Sequence, residues 1–251
     1  MKRFAPTLVL LLISSAAMAQ GPEAAKSNGA ATAASSTIPA PLAITANTTP
    51  IELARAALMA QGGDKFKNLK SMMLIGSADL YPPNSAQSIP GKFVILTAGD
   101  KVRIEIDARP IFNFKQVYDG QQSYSSMPGV QMPPPSKFGL AVLAKFDQPG
   151  YTISALPDKK KLRGFRIVDA EGNTTDFFID PATARVMQYL TPYSGYTFGT
   201  ENSKFREVDG VLVPVSFSQR LEMQQGAFFA EYKVKDVKIN QPIGDDVFVI
   251  Q

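Results

Sequence analysis

From Val211 to Met223 the odd positions read Val211, Val213, Val215, Phe217, Gln219, Leu221 and Met223, while Ser216, Ser218, Arg220 and Glu222 hold even ones. A period of two sustained over so long a run is a strand with one apolar face. Phe228, Ala230, Tyr232 and Val234 repeat the pattern against Phe229, Glu231, Lys233 and Lys235. The intervening Gln225-Gly226 suits a short turn, so the two segments read as a hairpin. A sheet of this kind must cover its apolar face, and what covers it decides the function.

The same period recurs upstream: Met72 and Leu74, Phe93 and Ile95, then Val102, Ile104 and Ile106 against Arg103, Glu105 and Asp107. Turn-compatible clusters punctuate these runs at Pro82-Pro83-Asn84, Gly99-Asp100, Ala108-Arg109-Pro110 and Asp119-Gly120. Further strands read at Gly164 to Asp169, Thr174 to Ile179, Arg185 to Thr191 and Tyr196 to Glu207. No helix-period segment separates them, which argues against parallel βαβ units. The expected fold is mainly β with few helices: an unclosed antiparallel barrel of about eleven strands wrapped over helices.

Two helices are expected. Thr49-Pro50-Ile51-Glu52 is a capping box with proline at the first helical position, Ile51, Ala54 and Leu58 share a face, and Gly62-Gly63 stops the helix. A second apolar helix is expected from Lys137 to Phe146, after the irregular insertion that holds Met132-Pro133-Pro134-Pro135. Met127, Val130 and Met132 are soft, adaptable side chains beside these turns. Two readings of Met127 to Phe146 stay open: a lid over a cavity, or a core plug.

The chain opens with Lys2 and Arg3, the apolar run Leu8 to Ile13, and Ala17-Met18-Ala19, the pattern of a secretory signal cleaved near Ala19. The apolar run is shorter than the ~20 residues of a membrane span. Residues 20–48 are an Ala/Ser/Thr/Pro linker, too poor in large apolar side chains to order themselves, and the folded domain is expected over 49–251. With no Cys in the chain, no lipid-modified cysteine and no disulfide are expected despite a periplasmic location. The formal net charge of +4, part of which leaves with Lys2 and Arg3, is no nucleic-acid-binding balance.

The chain also has no His, which removes Ser-His-Asp and Cys-His nucleophiles and most zinc, copper and haem sites. Carboxylate chemistry is left, and Glu105 with Asp107 point to one side of a strand; that side is the polar one, as a solvated outer face requires. Asp180-Pro181-Ala182-Thr183 lacks calcium-loop spacing, and Asp119-Gly120 and Asp209-Gly210 are hairpin turns by composition. Lys159-Lys160-Lys161 with Arg163 reads as a solvated loop, with contact to anionic lipid as the alternative. No catalytic residue, metal or cofactor is assigned.

The signal peptide, the capped helix and the consecutive strands, followed by FFIDPATARV, VDGVLVP and EYKVKDVKINQPIGDDVF, resemble the Lol-type outer-membrane lipoprotein-sorting superfamily over Ile51 to Gln251. The resemblance implies an unclosed antiparallel barrel capped by helices, and acyl chains of lipoproteins or lipids as ligands. Family carriers have an Arg-Pro pair at the end of the second strand; here that place reads Leu96-Thr97-Ala98-Gly99. The family's outer-membrane receptor is itself a lipoprotein, which the lack of Cys excludes here.

The expected function is therefore a monomeric periplasmic carrier or binding protein, not an enzyme, that shelters acyl chains and meets delivery partners at the inner or outer membrane. A sensor module that binds lipoprotein and a protein partner is the alternative, and an enzyme using the pocket the remote one. Candidate ligand-contacting residues are Phe93, Ile95, Met127, Met132, Leu140, Leu143, Phe217, Leu221, Phe228 and Tyr232.

Overall fold

The computed structural model describes residues 44–127, 132–223 and 226–250. The signal peptide, the linker up to residue 43, and Val130 of the insertion lie outside the described residues. Within them the chain forms α1 (Pro50–Gln61), α2 (Asp64–Lys67) and α3 (Leu140–Leu143). The strands are β1 (Ser71–Tyr81), β2 (Ile89–Ala98), β3 (Lys101–Ala108), β4 (Phe112–Tyr118), β5 (Ser123–Ser125), β6 (Thr152–Lys159), β7 (Leu162–Val168), β8 (Thr174–Ile179), β9 (Val186–Tyr193), β10 (Tyr196–Val208), β11 (Val211–Met223) and β12 (Gly226–Ile239).

All twelve join one sheet in the order β5-β4-β3-β2-β1-β12-β11-β10-β9-β8-β7-β6, and the pairings within it are antiparallel. β5 and β6 are its edges, so the barrel is open, as expected from the sequence. Two meanders meet at its centre, where β1 pairs with β12 from Met72 opposite Ile239 to Tyr81 opposite Phe229. A register shift between Ile75 and Gly76 relaxes this pairing. A Cβ at Gly76 would stand 2.1 Å from the Lys233 carbonyl oxygen, which is why the close approach needs glycine there.

The capping box of α1 forms: the Thr49 amide and hydroxyl both donate to the Glu52 carboxylate, at 2.8 and 2.7 Å. These bonds hold the Glu52 carboxyl below its ordinary range. The buried face is Leu53, Ala54, Ala57 and Leu58; Ile51, expected on it, is 47% exposed. The expected helix over Lys137 to Phe146 is much shorter. Pro135–Lys137 form a 3-10 turn, and Gly139, at φ 60°, breaks the run before α3. A Cβ at Gly139 would come 2.7 Å from the Tyr189 ring, so packing as well as backbone conformation holds glycine at this break.

Two apolar clusters fill the inner face. In one, α1 and α3 pack Leu53, Ala57, Val142 and Leu143 against Phe165, Ile167, Phe177 and Ile179 of β7 and β8. In the other, Leu74, Phe93, Ile106 and Phe114 of β1 to β4 meet Phe217 of β11 and Tyr232 of β12. A third cluster sets Phe248, 1% exposed, on Leu96 and Val117. The C-terminal 3-10 turn Asp245–Phe248 that presents it is held by Lys101 to Asp245 at 2.7 Å and by Arg103 Nη1 donating to the Val247 carbonyl at 2.7 Å. Ile44 is half-buried against the helix cluster, and the Arg163 guanidinium donates to the carbonyls of Thr45 and Ala46, so residues 44–46 of the expected linker touch the domain.

Candidate functional site

The helices plug only one half of the concave face. Over the other half lies a cavity of about 190 Å³, walled by Ile104, Ile106, Phe112 and Phe114 on one side and Phe198, Leu221, Phe228 and Tyr232 on the other. Met127, Met132, Pro133, Pro135 and Phe138 form its roof. These residues belong to the connection between β5 and β6, the two edges of the sheet.

The wall geometry follows from the alternation of β11 and β12. Phe217 opposes Tyr232, Gln219 opposes Ala230 and Leu221 opposes Phe228, all on the inner face. The Tyr232 ring stacks on Phe217 with centroids 4.8 Å apart at 14°, and Phe93 meets it edge-on at 5.1 Å and 89°. Phe112 and Phe228 approach across the cavity at 6.0 Å. Burial pushes the Tyr232 phenol well above its ordinary range; it also raises Tyr189, where a hydrogen bond with Thr200 opposes the shift.

Beyond α3, Lys145 bonds Asp100 at 2.5 Å and Asp147 bonds Lys67 at 2.5 Å, while Lys137, between the roof residues Pro135 and Phe138, bonds Glu171 at 2.6 Å. Glu171 raises the Lys137 ammonium, and Lys67 lowers the Asp147 carboxyl. The roof also has the Gln116 amide, which donates to the Pro133 carbonyl at 2.8 Å, and the Met127 amide, which donates to the Ser125 hydroxyl at 3.2 Å.

Of the candidate residues, Met127, Met132, Leu221, Phe228 and Tyr232 line the cavity. Phe93 and Phe217 lie behind Tyr232 in the core, and Ile95 packs on the same cluster. Leu143 is fully buried in the helix cluster and Leu140 packs on that cluster, so neither roofs the cavity. The two readings of Met127 to Phe146 thus divide: Met127, Met132, Pro133, Pro135 and Phe138 cover the cavity, and α3 is core. Sequence reasoning missed Phe112, Phe114, Phe138, Tyr189 and Phe198; the only signal was aromatic density. Glu105 and Asp107 sit in ion pairs with Arg103 and Arg109, and the Arg109 bonds lower the Asp107 carboxyl to about 2. Lys159 reaches Gln188 at 2.7 Å and lies 5.4 Å over the Phe178 ring.

No protein-family model matches the chain, and no curated protein matches its sequence. Solved structures match its shape. A LolA superfamily protein from Nitrosomonas europaea superposes with a TM-score of 0.52 at 14% identity, covering 80% of this chain and 98% of that one. The chain has a Lol-type fold. A DUF1329 family protein from Desulfovibrio piger superposes at 0.50 and 11% identity, with coverage of 80% and 98%. In this Lol-type fold the open sheet holds the cavity on its concave face, with Met127, Met132, Pro133, Pro135 and Phe138 over it.

Proposed function

We propose that this protein is a periplasmic carrier or binding protein, exported with cleavage near Ala19 and with residues 20–48 as a linker ahead of the folded domain, that shelters the acyl chains of lipoproteins or lipids. The observation that carries the proposal is an aromatic and aliphatic cavity on the concave face of a Lol-type sheet, roofed by methionine and proline. Each methylene moved from water into such a cavity contributes ~0.8 kcal/mol, so a long chain offsets the cost of rearranging the roof. At about 190 Å³ the cavity is smaller than the ~300–1,000 Å³ of most small-molecule sites, so a long chain enters by moving Met127 and Met132, whose thioethers repack readily. Nothing in this function needs a catalytic residue.

The test is mass spectrometry of the protein purified from its native periplasm. Co-purifying acyl lipids or lipopeptides support the carrier. An empty cavity together with a stably bound protein would replace it with the sensor.

A further inference from the structure

We infer that the cavity holds a neutral hydrogen-bonding subsite centred on the Tyr232 hydroxyl, which receives the uncharged carbonyl of an acyl ester or amide in preference to a free carboxylate. This rests on the acyl-chain reading and names which acyl compounds are taken.

Tyr232 is 4% exposed and lines the cavity, yet its hydroxyl has no hydrogen-bond partner among the described residues. The hydroxyl opens onto the cavity, whereas polar side chains nearby are paired within the protein. Gln116 is bonded to the Pro133 carbonyl, Tyr189 to Thr200, and Asn202 to the Val186 carbonyl at 2.9 Å. A hydroxyl left open where a ligand would lie is a donor waiting for an acceptor.

The sheet register puts further polar groups in line with it. Tyr189 opposes Thr200, Thr200 opposes Gln219, and Tyr232 stands opposite Phe217, two residues along β11 from Gln219. Diagonal neighbours of this kind reach one another on a sheet face. The resulting band crosses four strands of an otherwise apolar wall, and Gln219 is exposed, so it leads from Tyr232 toward solvent. Every member is uncharged. Among the described residues Arg220 alone brings charge to the cavity wall, and alternation turns its guanidinium to the other face, where it pairs with Glu222. A carboxylate would be buried without a cation, whereas an ester or amide carbonyl needs only the donor.

Displacement of a fluorescent naphthylamine dye by methyl decanoate, decanoate at pH 8 and decane tests this on the wild type and Tyr232→Phe. The variant keeps the ring and loses the hydroxyl. Methyl decanoate should bind about fivefold more weakly to Tyr232→Phe, decane should change less than about twofold, and decanoate should bind the wild type more weakly than the ester. The thermal midpoint of the variant should stay equal or rise. Unchanged ester binding, an equal loss for decane, or a sharp fall in stability would each overturn the subsite. If decane and the ester both fail to displace the dye from wild type, the acyl cavity falls as well.

Discussion

The Gln116 side-chain amide lies 2.8 Å from the Pro133 carbonyl oxygen, fastening the cavity roof to β4 by a bond between two neutral groups. Such a bond contributes about 1 kcal/mol. Gln116→Met fills the same space without it. The variant should lose about that much stability while dye uptake, followed by stopped-flow fluorescence, becomes faster. Equal uptake rates would mean that the roof is held elsewhere.

Phe217 is 8% exposed and stacked on Tyr232. Phe217→Asp places an unpaired carboxylate in that cluster, at a cost of about 3–5 kcal/mol. A thermal midpoint equal to wild type would refute the inner-face assignment of β11.

Leu143 and Leu140 separate plug from roof. Leu143→Glu buries a charge among Phe165, Phe177 and Ile179 and should unfold the domain. Leu140→Glu, only half-buried, should cost roughly 1–2 kcal/mol and leave dye affinity unchanged. Weaker dye binding by a folded Leu140→Glu would return this residue to the cavity.

Gln61 is fully buried in α1; its Nε2 donates to the Leu212 carbonyl at 3.4 Å and its Oε1 has no partner. Gln61→Met removes that unpaired acceptor at similar volume. Stability should be unchanged or higher by about 1 kcal/mol in urea melts.

With no His in the chain, the thermal midpoint should be nearly flat between about pH 5.5 and pH 8. Arg109 holds the Asp107 carboxyl at about 2, below its unfolded value of ~3.9. A depressed folded value stabilises above the unfolded one, and this contribution disappears as pH falls from ~4 toward ~2. Asp107→Asn should therefore flatten that acid limb without changing the midpoint's insensitivity near neutrality.

Most strands with one face buried and the other wet were legible, because that environment writes a period of two; β11 and β12 gave their inner residues, Leu221, Phe228 and Tyr232, directly, whereas β4 was not legible, since Gln116, Val117 and Tyr118 are buried in succession. β6 was not legible, since as an edge strand it is mostly exposed and no face of it needs to be apolar. β5, only Ser123–Ser125, is too short to show any period. The break at Gly139 depends on the Tyr189 ring, fifty positions away in sequence, and Ile51 faces solvent because of how α1 docks. Such contacts are tertiary, and so is the division of Met127 to Phe146 between roof and plug.

The pairing of β1 with β12 has a consequence for how the molecule forms. Met72 finds Ile239 only after nearly all of the intervening chain exists, so this ladder is among the most non-local contacts the fold contains. Each meander can zip up from neighbouring hairpins, but until β12 arrives β1 is an open edge on one of two separate ribbons. Loop closure makes such pairing late and folding slow, on the order of milliseconds to seconds. During that interval, the apolar surfaces that will become the concave face of the sheet are exposed to any other chain nearby.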